Sequence, residues 1–160
     1  MRTNYNPKGQ SSLELLITVS FALIILLPIV ILAFVQMSST SSNLATGEAQ
    51  AAATKLAEVA VTVGAQGPPA KQLILIDMPS DVQQIIIGNQ VNSGTGFGHQ
   101  IIFIVDTNAG LSDAVAYVPV NVTGNLGSVL SQGTYLVNVS AESPCTYAGS
   151  TLPCVVITPT

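Results

Sequence analysis

Side chains that perform catalysis or bind metal ions are scarce in this sequence. It contains one histidine, His99, and two cysteines, Cys145 and Cys154, and only 8% of its residues are charged. Acid–base and nucleophilic catalysis need such groups close together, and metal sites need His, Cys or carboxylate ligands at a recognisable spacing. No such spacing occurs, so we expect no catalytic residues, no metal site and no cofactor. His99 is expected in a loop or at the surface.

Two weaker patterns have ordinary explanations. The glycine-rich residues 94–98 are similar to part of a phosphate-binding loop but lack the helix and the other residues of a nucleotide-binding motif, so we interpret them as a turn between strands. Four aspartates could in principle bind calcium, but their spacing matches no known calcium loop, and solvated turn residues are the simpler interpretation. They are Asp77, Asp81, Asp106 and Asp113.

The charge balance excludes one class of partner. Four basic residues stand against eight acidic ones, which gives a formal net charge of −4 at pH 7. Binding to nucleic acid needs clustered Lys and Arg to neutralise phosphates, so we expect no nucleic-acid partner. The mean hydropathy is +0.56 and 48% of the residues are hydrophobic. Part of the chain must therefore lie in lipid or in a protein interior.

An apolar run at residues 13–35 is long enough to cross a membrane as a helix, since about 20 residues rising about 1.5 Å each span the hydrocarbon core. Arg2 and Lys8 precede it without an acidic residue between them, and the positive-inside tendency keeps them cytoplasmic. The chain after Gln36 should then lie outside the cell. The run is longer than the apolar part of an ordinary secretory signal, so we expect the helix to remain in the mature protein.

The two cysteines follow this segment and so are expected outside the cell, where a disulfide persists. A bond between Cys145 and Cys154 would close a loop of about ten residues and stabilise the fold by roughly 2–3 kcal/mol. The alternative is a pair of reduced thiols. We expect the disulfide.

Glu14 is the one formally charged residue between Lys8 and Glu48, and it lies just inside the apolar run. A carboxylate at bilayer depth costs about 2–3 kcal/mol on insertion scales, so such a group indicates a function and a partner. Alternatively, Glu14 lies at the headgroup level or in the first helical turn, where the helix dipole favours negative charge. The spacing alone leaves both interpretations open.

The segment from Lys8 through Gly9, Gln10 and Ser12 to Glu14, followed directly by an apolar helix, resembles the class III signal peptide of archaeal type IV pilins of the adhesion type. The resemblance covers roughly residues 1–36. It implies that a membrane-embedded prepilin peptidase recognises these residues and cuts between Gly9 and Gln10. Ser12 and Glu14 then stand at the third and fifth mature positions, as in the family. Gly9 lacks a Cβ, which lets a protease approach the backbone closely.

The same resemblance implies a filament subunit. Its helix spans the membrane before assembly and joins the helices of other copies in the filament core afterwards, with the pilus assembly platform and its ATPase as further partners. Glu14 is then an assembly residue, because the equivalent glutamate in related pilins meets the N-terminal amine of a neighbouring subunit. Gln10 could instead cyclise to a neutral pyroglutamate, which would leave Glu14 needing another donor. Pro28 lacks a backbone N–H, which predicts a bend in the helix.

The helix is expected to continue beyond the membrane segment, loosened where the chain is rich in serine. Ala52, Leu56, Val59 and Val63 recur at helical spacing and predict an apolar stripe that faces an outer domain. Residues 64–70 contain Gly and paired Pro, which end a helix. The predicted organisation is a leader at residues 1–9, a helix at residues 10–66 and an extracellular β-domain at residues 67–160.

Beyond this boundary, short apolar or alternating runs are separated by Gly, Asn, Ser and Pro. They predict an antiparallel β-domain, either a small sandwich or a curled sheet. The fold class is then α+β, with a long N-terminal hydrophobic helix before a C-terminal antiparallel β-domain, as in type IV pilins. Residues 126–132 are either a helical turn or a loop. The predicted strands are residues 72–76, 82–87, 100–106, 114–122, 134–141 and 155–158.

Two N-glycosylation sequons lie in the predicted β-domain, one starting at Asn121 and the other at Asn138. A period of two turns each Asn away from its apolar neighbours, so both can face solvent. Glycans would suit an outer surface that is short of charge. Such triplets also arise by chance in a domain rich in Asn, Ser and Thr, which leaves their occupancy open.

The expected protein is therefore a structural subunit of a cell-surface filament that serves adhesion. The main alternative is a membrane-anchored minor pilin-like component of a surface complex, with the same leader, the same helix and a β-rich ectodomain. Only the state of assembly separates the two. A subunit of a rotating archaeal filament is less consistent with the residues from Gln10 to Glu14, which are closer to those of adhesion pilins.

Overall fold

The computed structural model of this chain describes residues 8–88, 98–146 and 148–160. The chain divides into two compact units, Met1–Thr40 and Ser41–Thr160, here called the N-terminal unit and the C-terminal unit. The described elements are α1 (Lys8–Gln66), β1 (Lys71–Met78), β2 (Val82–Ile87), β3 (Gly98–Thr107), β4 (Gly110–Gly124), β5 (Gly133–Glu142) and β6 (Cys154–Pro159). An apolar helix followed by a mainly antiparallel sheet gives an α+β protein, as the sequence predicts.

α1 continues through the serine-rich residues 37–43 without leaving the helical conformation. Hydroxyl side chains along α1 bond to the helix's own backbone, as when Thr40 Oγ1 donates to the carbonyl oxygen of Gln36 at 2.9 Å. Such bonds satisfy the hydroxyl but compete weakly with the helical pattern. Pro28 lies inside α1, and the bend expected there stays a prediction.

α1 ends where glycine makes a left-handed turn possible. Gly67 directly follows the last helical residue, Gln66, and has a φ of 71°. Its N–H donates to the carbonyl oxygen of Val63 at 3.1 Å, which satisfies one of the carbonyls that a helix end leaves without a partner. Pro68 and Pro69 follow and cannot continue the helix.

One face of α1 forms one side of the core of the C-terminal unit. Most of its buried residues are alanines, and such small side chains let a helix approach a sheet closely. The predicted stripe is confirmed, since Ala52, Leu56 and Val63 are buried and the partly buried Val59 packs against the same cluster. Ala60, next to Val59, is fully buried as well. The buried residues of α1 are Ala45, Ala49, Ala52, Ala53, Leu56, Ala57, Ala60 and Val63.

The strands form one six-stranded sheet in the order β1-β5-β6-β4-β3-β2, and each predicted strand lies within an observed one. Neighbouring strands are antiparallel except β4 and β6, which are parallel from Val122↔Val155 to Gly124↔Ile157. The expectation of a wholly antiparallel domain is therefore wrong at this pair. β5 follows β4 along the chain but does not pair with it. Instead β6 lies between these two strands, antiparallel to β5 and parallel to β4.

The sheet is curled, which selects one of the two predicted arrangements. β1 and β2 occupy opposite edges, yet only residues 79–81 connect them. In a flat sheet five strand spacings of about 4.8 Å would separate the edges by about 24 Å, whereas the chain from Met78 to Val82 spans at most about 14 Å. The edges must therefore curve towards each other. Asp81, with a φ of 65°, accepts a hydrogen bond from the N–H of Asp106 at 2.8 Å and so fixes the start of β2.

Alternating burial gives the sheet an inner face against α1 and an outer face. In β1, for example, Ile74, Ile76 and Met78 are buried while the residues between them are exposed. Inner-face residues and the buried alanines of α1 belong to one cluster. Residues 126–132, before β5, form a loop and not a helical turn. This loop adds the fully buried Leu126 to the core.

Candidate functional site

The first candidate site is the apolar part of α1 in the N-terminal unit. Leu13–Met37 is a 25-residue span with a mean hydropathy of 3.1, long and apolar enough to cross a membrane, and none of it is buried within the chain. Exposure extends all round the helix, as at Leu16, 66% exposed, and Phe34, 73% exposed. A helix that is apolar on every side needs lipid or protein around it. This feature fits insertion into a membrane, as an anchor or as a signal sequence.

The residues that resemble a processing site begin this helix. Lys8, Gly9, Gln10 and Ser12 lie in the first turns of α1, and Glu14 follows as an exposed residue. A protease that binds extended backbone must unwind this turn first. The first N–H groups of a helix have no intrahelical partner and helix ends fray, so unwinding is easiest there.

The carboxylate of Glu14 has no hydrogen-bond partner among the side chains that the structure describes. Its backbone is engaged, since Thr18 Oγ1 donates to the Glu14 carbonyl oxygen at 2.8 Å. A contact of this carboxylate with a second subunit or with the headgroup layer stays a prediction.

The second candidate site is the disulfide loop, residues 143–153, which connects β5 to β6. Cys145 and Cys154 are bonded with their Cα atoms 5.4 Å apart, as the sequence predicts. Inside the loop, the Cys145 N–H donates to the carbonyl oxygen of Leu152 at 3.1 Å, and the Ser150 N–H donates to that of Cys145 at 3.0 Å. These bonds fold the loop back on itself.

The disulfide loop covers part of the sheet's outer face. Cys145, Cys154 and Val156 form a small buried cluster apart from the main core. In the sheet Val156 lies between Thr123 of β4 and Ser140 of β5. Both hydroxyl residues are buried, with 0% and 6% of their surface exposed respectively, although they belong to the outer face. The loop therefore acts as a cover over this row of the sheet.

The same cover affects both sequons. Thr123 and Ser140 are the residues that complete them, so each sequon has its hydroxyl residue buried. Asn121 and Asn138 are half-buried rather than fully solvent-facing. The loop lies beside Asn121, whose Nδ2 donates to the carbonyl oxygen of Pro153 at 3.4 Å. The sequence gives no sign of this cover. Glycosylation at the two positions stays a prediction.

Two other polar residues singled out in the sequence, Asp77 and His99, have side-chain partners. Asp77 Oδ1 accepts a hydrogen bond from Thr134 Oγ1 at 2.6 Å. His99 lies in β3 rather than in a loop, but it is exposed at the surface as expected, with Nδ1 3.2 Å from the carbonyl oxygen of Val118 and its ring beside Tyr117. Within residues 8–88, 98–146 and 148–160, no group of three or more His, Cys, Asp or Glu could hold a metal ion.

Of the glycine-rich residues 94–98, only Gly98 lies within the described residues, and it begins β3. The predicted turn is otherwise outside them. No protein-family model, no curated protein and no solved structure matches this chain significantly. The fold is that of an α+β protein with an N-terminal helix long and apolar enough to cross a membrane and a disulfide-bonded β-domain.

Removing the disulfide should destabilise the C-terminal unit. In the double variant C145A/C154A we expect the free energy of unfolding to fall by about 2–4 kcal/mol, because the unfolded loop gains freedom and the buried cluster loses both sulfur atoms. Urea unfolding of the full chain in detergent, followed by hydrogen exchange of the strand amides, measures this. Leu152→Ala, in the same loop but 53% exposed, is the matched control and should change little. Equal stability of the two variants would contradict the prediction.

Proposed function

We propose that this chain is the precursor of a structural subunit of an archaeal type IV pilus-like filament, cut between Gly9 and Gln10 and assembled through α1. The observation that supports this most strongly is the span Leu13–Met37, apolar and uncovered on every side, with the processing-type residues directly before it. Cleavage at that place removes only a short polar leader. The apolar helix then stays on the mature subunit.

Contacts between copies of α1, rather than burial of the apolar span itself, are the driving force for assembly. In the membrane lipid surrounds the helix, and in a filament the helices of other copies replace the lipid. Apolar surface is satisfied in both places, so direct contacts between helices decide the transfer. Glu14 would supply such a contact by pairing with the amine of the next subunit. The same subunits would carry the disulfide-bonded β-domains on the outside, where they serve adhesion.

Replacing Glu14 tests the assembly role. In Glu14→Gln we expect filaments to be lost, since removing one partner of a buried ion pair costs about 3–5 kcal/mol, and every subunit in the filament would lose it. Electron microscopy of cells expressing the variant, with membrane levels of the subunit measured in parallel, gives the result. Glu48→Gln, at an exposed acid in the C-terminal half of α1, is the control and should leave piliation unchanged. Normal filaments with Glu14→Gln would defeat the assigned role.

A membrane-anchored minor pilin-like component is the second candidate, because lipid alone can cover the exposed span. Shearing cells and sequencing the N-terminus of the released protein separates the two. Filament material that begins at Gln10 supports the subunit. A product that begins at Gln10 but stays in the membrane supports the anchored component, and a product that retains residues 1–9 contradicts both.

A further inference from the structure

We propose that β1 pairs with β1 of a second copy of this chain, antiparallel and about a two-fold axis at Ile74. The pairing would join two C-terminal units through an edge of their sheets. The pairing goes beyond filament assembly, because it involves a surface remote in sequence from the processing residues. The proposed partner of this edge is a second copy of the chain.

One edge of β1 is open to such pairing. Among the described strands β1 has a single neighbour, β5. Ala70, just before β1, accepts a hydrogen bond from Ala141 on the β5 side, so the even-numbered residues point their backbone groups towards β5. The odd-numbered residues, including Leu73 and Leu75, therefore point their backbone groups to the free edge. In agreement, the Leu75 carbonyl oxygen is bound by Lys55 Nζ from α1, at 2.7 Å, rather than by β5.

The side chains of these odd-numbered residues also lie exposed on the outer face. Lys71 and Asp77 are exposed at the two ends of β1, and between them Leu73 is 57% and Leu75 56% exposed. Leu136 lies directly across from Leu75 on β5 and is 42% exposed, which widens the apolar patch. An exposed apolar strand at a sheet edge is a site of association.

The order of these residues fits a second copy of the same strand. With the axis at Ile74, antiparallel pairing sets Lys71 of each copy opposite Asp77 of the other. Leu73 of each copy then lies opposite Leu75 of the other. Opposite charges and apolar pairs placed directly across from each other stabilise a sheet, and like charges destabilise it. β1 is thus complementary to itself in both charge and hydrophobicity, which a two-fold interface requires.

Pairing would break the hydrogen bond between Lys55 and Leu75 and would form several backbone hydrogen bonds between the two strands. Lys55 Nζ would have to leave the Leu75 carbonyl oxygen, and as an exposed ammonium it can be solvated instead. Each pair of odd-numbered residues that face each other across the new edge exchanges two backbone hydrogen bonds. Lys55 therefore competes with the second strand but does not exclude it. The variant Lys55→Gln should pair more readily.

This contact is independent of the proposed filament. Neighbours along a polar helical filament are related head to tail, whereas a two-fold contact is symmetric. The contact would therefore link copies from different filaments, or two membrane-anchored chains. Failure of the β1 pairing would leave the filament proposal intact, and the reverse holds as well.

Charge reversal tests the register. The full chain in detergent at low salt should associate about tenfold more weakly as Lys71→Asp or as Asp77→Lys, because each places like charges opposite each other at both ends of the pair. The double variant K71D/D77K restores opposite charges and should recover association. Sedimentation of the three variants beside the unmodified chain, with circular dichroism to show that each is folded, gives the comparison. No loss in the single variants, or no recovery in the double variant, would overturn the proposal.

Cysteine cross-linking tests the geometry by a separate measurement. Leu73 of one copy faces Leu75 of the other, at a Cα separation of about 5.5 Å that a disulfide can span. A mixture of L73C and L75C chains should therefore oxidise to a mixed dimer several-fold faster than either variant alone, whose sulfur atoms lie on diagonal positions about 7–8 Å apart. Equal rates in the mixture and in the separate variants would show that the strands do not pair as proposed.

Discussion

Gly124→Ala should prevent the C-terminal unit from folding. Gly124 ends β4 with a φ of 150°, and a Cβ at this position would lie 2.0 Å from the carbonyl oxygen of Ile157 in β6. That carbonyl belongs to the backbone, and the two strands are paired through Gly124↔Ile157, so neither can move away without breaking the parallel pair. We expect destabilisation of more than about 4 kcal/mol, a large part of the stability of an ordinary domain. Circular dichroism of the full chain in detergent would show loss of the strand signal.

Gly110→Ala is the control for this variant. Gly110 also has a left-handed φ, 115°, but a Cβ there would meet no atom within 4 Å. Alanine at this position adds backbone strain of about 1–2 kcal/mol without a clash, so the unit should stay folded. If Gly124→Ala were folded and as stable as Gly110→Ala, the close approach of β4 and β6 would not be the reason for a glycine.

Leu56→Ala should produce the second large effect. Leu56 is fully buried, and by volume only Phe103 exceeds it among the fully buried side chains of the described residues. Its neighbours on the buried face of α1 are mainly alanines, which are too short to fill the space that the truncation leaves. The free energy of unfolding should fall by about 2–5 kcal/mol, as for other buried leucines. Urea unfolding of the full chain in detergent measures the difference.

Leu44→Ala provides the same chemical change on an exposed part of the same helix. Leu44 is 60% exposed, so we expect a change within about 0.5 kcal/mol. Similar losses in the two variants would mean that α1 is not held against the sheet by the face that contains Leu56.

The positions of the strands could be predicted from sequence because short apolar or alternating runs lie between turn residues. In β5 the alternation of Val137, Asn138 and Val139 also predicts which side chains are buried, whereas the continuous apolar runs in β1 and β3 do not. The disulfide could be predicted because two cysteines allow only one pairing within the chain. Both predictions need information that lies within short stretches of sequence.

The order of the strands could not be predicted in the same way. Periodicity tells which face of a strand is buried but not which strand lies beside it, so the insertion of β6 between β5 and β4 was missed. The alanine face of α1 was missed in part because alanine is too weakly apolar to mark a stripe; Ala49, Ala53 and Ala60 are fully buried nonetheless.

For the candidate sites, residue types and spacing could be read from the sequence. The burial of these residues by other parts of the chain could not. Burial of Thr123 and Ser140 comes from a loop that follows them in the chain, and no local pattern records it. The processing residues from Lys8 to Glu14 are the opposite case. Their interpretation rests on sequence alone, and the structure adds that they begin a helix.

The place of β6 in the sheet has a consequence for biosynthesis. β6 is the last strand along the chain, yet it lies in the middle of the sheet and joins β1 and β5 to the strands β4, β3 and β2. Until residues 154–159 have left the ribosome, the two halves of the sheet have no strand to hold them together. The sheet therefore closes late in synthesis, and the strands made earlier stay incompletely paired until β6 joins them.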